Sequence, residues 1–373
     1  MSDWRFVLAT TAGDHIAELS GATARTITWN LDSPATASFN IPGTMSVASQ
    51  IVESATDLLV YSPSSALKFR GRMGSSDDSV SAAGHTCSLA AVDYRGFLGR
   101  RIIWPGSTAT FTTVEQTSIA WQLISDSQAL PGGNLGITNS SVASGVTRSM
   151  TYAEGDVILS RIDELSAFTD GFEWEIDPSL AFQTYYPYRG NLSGLVLSFG
   201  KDIVSFQRTL DTSTFANAVR WSGATGLTAV TAAASTFDAT GRWEIQVGDT
   251  NVADQPTLNA KAPWELAKDS TVTPAYQATL TPGWWTPEAL WLGDAATLSL
   301  KSGRLDVFAQ LRVTSVTVTV GDSGGEVVTI TFGGVPLSGP PTVQQAATAR
   351  IQIPTTLTTL RNLEDAARKL NRR

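Results

Sequence analysis

The sequence predicts a mainly β chain with an α+β segment set into it, and three observations carry that expectation. Apolar and polar residues alternate at a period of two early and late in the chain, in RTITWNLDSPATASFNIPG and in RVTSVTVTVGDSGGEVVTITFGG. Runs of Gly, Pro, Ser and Asp separate these stretches, as turns between strands do. One middle segment, GDVILSRIDELSAFTDGF, repeats its apolar residues at helical spacing instead. The expected architecture is two β-barrel domains, a helix-containing α+β domain between them, an insertion in the second barrel and a C-terminal helix.

Residues 1–98 read as strands. Ile27, Trp29 and Leu31 alternate with polar residues, and Ala37, Phe39 and Ile41 repeat the pattern after a turn at Asp32-Ser33-Pro34, which is a hairpin signal. LLVYSPSSALKFRGRMG supplies another pair around the break Ser62-Pro63-Ser64-Ser65. GHTCSLAAVDYRGFLGRR gives a strand that ends at the corner Asp93-Tyr94-Arg95. A single barrel or sandwich fits this length.

Residues 99–198 form the α+β domain. VEQTSIAWQLISDSQ places Ile119, Leu123 and a flanking Trp121 at helical spacing. In the next helix Val157, Ile158, Ile162, Leu165 and Phe168 share one face, with Asp156 as N-cap and Gly171 just past the end. GFEWEIDPSLAFQTYYPYRG follows directly.

Residues 199–225 and 290–338 read as the second barrel. Val313, Val316, Val318 and Val320 run into a glycine turn, and Val328, Ile330 and Phe332 return from it. Residues 226–289 are the inserted peripheral domain, rich in Thr, Ala and Pro, with a short candidate helix at PWELAKDS. Residues 339–373 are a linker and a C-terminal helix in which Ile353, Thr356, Leu360, Leu363, Ala367 and Leu370 recur at spacings of three and four. So short a seam does not hold chains together alone. A helix docked on the body and a bundle around a symmetry axis both fit it.

Composition bounds the chemistry. The 373 residues are 42% apolar and 16% charged, enough apolar material for real cores. The net charge of −8 repels phosphate backbones. No run approaches the ~20 apolar residues of a membrane-crossing helix, so no membrane insertion is expected. The start, MSDWRFVLATTAGDH, lacks the basic n-region of a secretory signal, which points to synthesis in a cytoplasm. Cys87 is the single cysteine, which excludes an internal disulfide and a cysteine zinc cluster, and it is expected to be buried. His15 and His85 stand apart from any ligand spacing, no Gly-x-Ser-x-Gly elbow occurs, and the Gly-rich pieces lack the Lys-Ser/Thr of a phosphate loop. No catalytic, cofactor-binding or metal-binding residues are expected.

Two stretches carry weighable alternatives. Glu173, Glu175 and Asp177 alternate with Phe172, Trp174 and Ile176, so a strand puts the acids on a wet or interface face and the rings in the core. A glycosidase would need Glu173 or Glu175 to face a partner acid across the scissile bond. Trp264, Trp284, Trp285 and Trp291 gather in or next to the insertion, where core packing, a protein interface and stacking on cell-wall glycan compete.

The order of RTITWNLDSPATASFNIPG, LKFRGRMG, HTCSLAAVDYRGFLGRR, IAWQLISDSQ, LSRIDELSAFTDGFEWEIDP, YPYRG, VLSFGKDI, FANAVRWSG and LWLGDAATL resembles the baseplate hub, or tail-associated minor tail protein, family of long-tailed actinobacteriophages. These pieces cover most of residues 1–335. The resemblance implies two hub-type barrels per chain and a structural homotrimer that adapts a sixfold tail tube and distal tail ring to a threefold tip. It also implies a virion tail-tip location and a channel through which DNA passes during genome ejection. The implied partners are the distal tail protein, the tail tube and tape measure proteins, downstream tip or receptor-binding proteins, and transiently the host surface. Tyr185, Tyr186, Tyr188 and Arg189 of the loop, Trp284 and Trp285, and Leu360, Leu363 and Leu370 of the tail are the expected interface residues. The alternatives are a host cell-wall glycan-binding tail protein and a glycoside hydrolase.

Overall fold

The alternating stretches become strands whose odd or even residues are shut away from water. In the computed structural model, which describes residues 4–333 except 83, 108, 169, 211, 214, 224–225, 249–254, 256–258, 260–261, 264, 267–268, 271–273 and 323–324, the N-terminal strands are β1 (Arg5–Thr10), β2 (His15–Glu18), β3 (Thr23–Asn30) and β4 (Thr36–Pro42). Trp264 and the tail residues Leu360, Leu363 and Leu370 lie outside the described residues. β3 and β4 pair antiparallel around the predicted turn, with Thr28 opposite Thr36. Ile27, Trp29, Ala37, Phe39 and Ile41 are all buried, as the alternation requires. β5 (Thr56–Tyr61), β6 (Leu67–Ser81) and β7 (Gly84–Asp93) follow, β5 and β6 turning at Ser62–Ser65.

After β7 comes a short helix α1 (Tyr94–Phe97), then β8 (Thr110–Glu115), helix α2 (Gln116–Ala129), β9 (Thr138–Ser140) and β10 (Thr147–Thr151). Helix α3 (Ile158–Ser166) precedes β11 (Glu173–Ile176) and β12 (Ala181–Tyr185). Ile119 and Leu123 of α2, and Ile158, Ile162 and Leu165 of α3, enter one core with Phe172, Trp174 and Phe182. Burying each such side chain contributes roughly 1.5–3 kcal/mol relative to exposure.

The expected N-cap is displaced by one residue. Val157 occupies the cap of α3, because the Asp156 carbonyl is taken by the Ile103 N–H at 2.8 Å and its carboxylate by the Ala153 N–H at 2.9 Å. Phe168 lies past the helix end and is 39% exposed, its ring under the Arg148 guanidinium, so it is not part of the buried helix face.

Then come β13 (Leu192–Ser198), β14 (Ile203–Thr209), β15 (Ala218–Ser222), β16 (Thr228–Ala232), helix α4 (Phe237–Thr240) and β17 (Glu244–Gly248). β18 (Ala275–Leu280), β19 (Ala295–Ser302), β20 (Leu305–Val320) and β21 (Glu326–Gly333) complete the described chain. Contacts divide it into two units. One takes residues up to Phe206 and from Ala278 onward; the other takes Gln207–Gln277.

Thirteen strands form one hydrogen-bonded sheet, in the order β14-β18-β21-β20-β3-β4-β7-β6-β5-β1-β2, with β19 and then β13 branching from β20. The branch lies within the 16-residue strand β20. Its first half, Leu305–Arg312, pairs with β19, and its second half pairs with β21 on one side and β3 on the other. The strands expected in two separate barrels therefore meet on one shared strand. Among the described residues neither group closes into a complete barrel; an isolated bridge from Phe199 to Ile203 spans only the turn between β13 and β14.

In the second unit β15 lies between β16 and β17. FANAVRWSG thus contributes its strand to this small sheet, over a core of Val219, Trp221 and Ala262.

Candidate functional site

The alternation in FEWEID puts Trp174 and Ile176 in the core and turns Glu173 and Glu175 to the opposite face. That face is not open water. Both oxygens of Glu173 are held by the two terminal nitrogens of Arg312 on β20, and Glu173 also accepts the Arg189 N–H at 2.7 Å. Glu175 accepts the Arg189 guanidinium through one oxygen and the Tyr185 hydroxyl through the other, each at 2.6 Å. Burial, and then the Glu175 charge, hold the Tyr185 phenol well above its usual range.

Arg312 fastens the same loop from below. It donates to the Arg189 carbonyl at 2.7 Å and to the Gly293 carbonyl at 2.9 Å, with its guanidinium carbon 5.8 Å from the centre of the Tyr188 ring. Backbone meets backbone here. A Cβ on Gly190 would stand 2.2 Å from the Gly293 carbonyl carbon, and one on Gly293 would stand 2.6 Å from the Arg189 carbonyl oxygen. Both glycines have positive φ, +91° and +86°, so neither position takes another residue without strain. YPYRG and LWLG, distant in sequence, form one clamp.

The corner after β7 is the second polar constellation. Asp93 accepts the Gly96 and Ala35 N–H groups, each at 2.8 Å, capping α1 and tying it to the start of β4. Burial pushes its carboxyl up to about 6. Tyr94 donates to Asp57 at 2.8 Å, and Asp57, fully buried, also faces Arg70 at 3.0 Å and Arg72 at 3.5 Å. Arg95, only 4% exposed, donates to the carbonyls of Leu31 and Trp174 and to Asp163, with its guanidinium 4.4 Å from the Trp174 ring. One tripeptide thus locks the N-terminal strands to the helical core.

Trp4, Trp29, Trp285 and Trp291 make a third cluster, with successive ring centres 5.1–6.5 Å apart. Trp285 is 3% exposed and donates its indole N–H to the Leu290 carbonyl at 2.8 Å, so its side chain belongs to the core of the first unit and not to the chain's surface. Trp284 beside it is half-buried, as are Tyr185, Tyr188 and Arg189. Tyr186, 38% exposed, is the most open of the loop's residues. A cavity of about 210 Å³ opens beside the loop, bordered by Trp29, Lys68, Asp93, Arg95, Glu175 and Arg189.

Chemically, these groups are fasteners. The carboxylates of Glu173 and Glu175 are engaged by guanidinium groups, so neither stands ready to protonate a leaving group. His85 pairs with Asp78 at 2.8 Å, far in sequence from His15 on β2. Cys87 is buried, and burial pushes its thiol up to about 11. Asp57, Arg72, Arg95 and Arg312 were not legible as site residues in the sequence. Arg312 falls in an ordinary alternating strand, and only its partner's place in FEWEID hints at it.

No protein-family model and no curated protein matches the sequence. Solved structures do. The 43 kDa tail protein of prophage MuSo2 from Shewanella oneidensis superposes with a TM-score of 0.65 at 14% identity, over 88% of this chain and 98% of that one. The tail protein from Neisseria meningitidis MC58 gives a TM-score of 0.63 at 12% identity, over 92% and 99%. Prophage tail protein gp18 from Listeria monocytogenes EGD-e gives 0.53 at 9%, over 95% and 99%. The chain has the fold of these phage tail proteins.

Proposed function

We propose that the chain is a structural baseplate hub protein at the tip of a phage tail. Three copies form a ring that adapts the sixfold tail tube and distal tail ring to a threefold tip and surrounds the path of the exiting DNA. The observation that carries this reading is a fold shared along nearly the whole length of three tail proteins. The shared strand β20 supports it further, because each chain then presents two strand groups, and three copies present six around one axis. The net charge of −8 suits a wall that lets phosphates slide past without holding them.

On this reading the chain resides in the virion tail, between the tube, tape measure and distal tail proteins and the receptor-binding parts of the tip. The two strand groups act as the two barrels of the hub, residues 99–198 as an α+β domain between them, and the inserted unit as a peripheral decoration. Among the loop residues Tyr186 is the contact candidate, since it is exposed while Arg189 is engaged within its own chain.

Native mass spectrometry of the purified chain and immunogold imaging of particles test the proposal. A trimer and label at the tail tip are expected. A strict monomer absent from particles contradicts it. Tyr186→Ala is expected to leave the chain folded and to weaken assembly.

A further inference from the structure

The first unit carries two exposed features of opposite character. One is the tip of the β6–β7 hairpin. β6 and β7 pair as far as Ser81 opposite Gly84, and residues Gly74 to Ser81 of β6 are all exposed. This arm carries Asp77, Asp78 and, near its end, Val80, which is 77% exposed. Glu53 lies against its base through the Ser76 hydroxyl. An apolar side chain so open, beside two acids, has no role in its own core.

The other feature is a groove of about 350 Å³ bordered by Arg100, Arg101, Ile102, Trp104, Leu130 and Pro131. Trp104 is 52% exposed and Ile102 37%. Arg101 is anchored to the Gly133 carbonyl at 2.8 Å, which fixes the groove's wall, while Arg100 is exposed beside it. Exposed tryptophan and arginine around an apolar floor is the composition that dominates binding energy in protein interfaces.

The two features fit each other in charge and in kind: acids with a projecting Val on one side, arginines around an apolar recess on the other. Within one chain the length of β7 separates them. β7 runs from Gly84 to Asp93, and at roughly 3.3 Å per residue the arm's tip stands about 30 Å from the corner that leads to the groove. We infer that the β6–β7 arm of one copy docks in the Arg100–Trp104 groove of a second copy, with Val80 against Trp104 and Ile102 and Asp77 facing Arg100. Such a contact is head-to-tail, and it forms a ring where the rotation between copies closes after three steps. The inference rests on the trimeric reading above and names the surfaces that make it.

A charge swap tests it, read by native mass spectrometry and sedimentation of the full chain. Asp77→Arg alone and Arg100→Asp alone are each expected to weaken association at least tenfold. The double variant is expected to recover most of it, because the pair is restored with its signs exchanged. Trp104→Ala is expected to weaken association as well. Both charged positions are exposed, so circular dichroism of every variant should match the unaltered chain. If the unaltered chain forms trimers and the single variants do too, or if the double variant fails to recover, the docking is wrong and the trimer stands. If the unaltered chain stays monomeric at high concentration, the trimeric reading falls and the docking with it.

Discussion

Arg312 on β20 closes on both carboxylate oxygens of Glu173 on β11, although 139 residues separate them. A bidentate pair of this kind is directional as well as strong, and here it fastens the α+β strands to the shared strand of the large sheet. Arg312→Ala leaves the mostly buried Glu173 side chain with only the Arg189 N–H against it, at an expected cost of about 3 kcal/mol. Arg312→Lys is expected to recover little, since an ammonium cannot span both oxygens. Urea denaturation followed by tryptophan fluorescence measures both, and a loss below about 1 kcal/mol for the alanine variant contradicts the assignment.

Asp57 is the most deeply placed carboxylate of the network around Tyr94, with Arg70 and Arg72 against it. Asp57→Ala strands two guanidinium groups in a half-buried setting and is expected to cost about 3–5 kcal/mol. Tyr94→Phe removes only the hydroxyl and is expected to cost about 1–2 kcal/mol. The order of the two midpoints in a denaturation series is the check; equal midpoints would mean that the carboxylate is paired elsewhere.

Asp93 contributes to the pH response of stability with a definite sign. Its carboxyl, ordinarily at 3.8, is raised to about 6 in the folded chain by burial. The folded state therefore binds the proton more tightly than the unfolded one, and stability from this group is fully present below 3.8 and lost as pH rises through 6. Lowering pH from 7.5 to 5 is expected to raise the melting temperature of the unaltered chain relative to that of Asp93→Asn. Parallel melting curves at the two pH values would refute this.

In the second unit Asn217, fully buried, donates to Thr236, Thr240 and the Gly241 carbonyl and accepts the Trp243 N–H at 2.8 Å. Asn217→Leu leaves several of these groups unsatisfied, at an expected cost of about 1–3 kcal/mol for each that stays buried. The two units are distinct in contact, so limited proteolysis should cut first within Gln207–Gln277 in the variant and spare the strands of the first unit.

Much of the architecture was legible because alternation and burial are the same fact seen twice. The hairpin at Asp32–Pro34, the faces of α2 and α3, and the valines of β20 follow from period alone, since each buried set is the apolar set. The sharing of β20 was not legible. A strand that changes partners halfway has the same alternation as one that does not, and its register with β3 depends on residues nearly 300 positions away. The acids of FEWEID were read correctly as the face away from the rings. What lay against that face could not be read, because Arg312 carries no local mark of its partner. Trp285 shows the same limit from the other side: abundance of indoles near an insertion says nothing about which of them stack inward.

A strand held in common by two groups also governs how load passes between them. Between β20 and β3 the ladder runs from Ser315–Asn30 to Val320–Arg25, so a pull along the strands strains all of its rungs together instead of peeling them one by one. Such a seam gives the large sheet mechanical stiffness, because load crosses from one strand group to the other through a single continuous hydrogen-bonded strand.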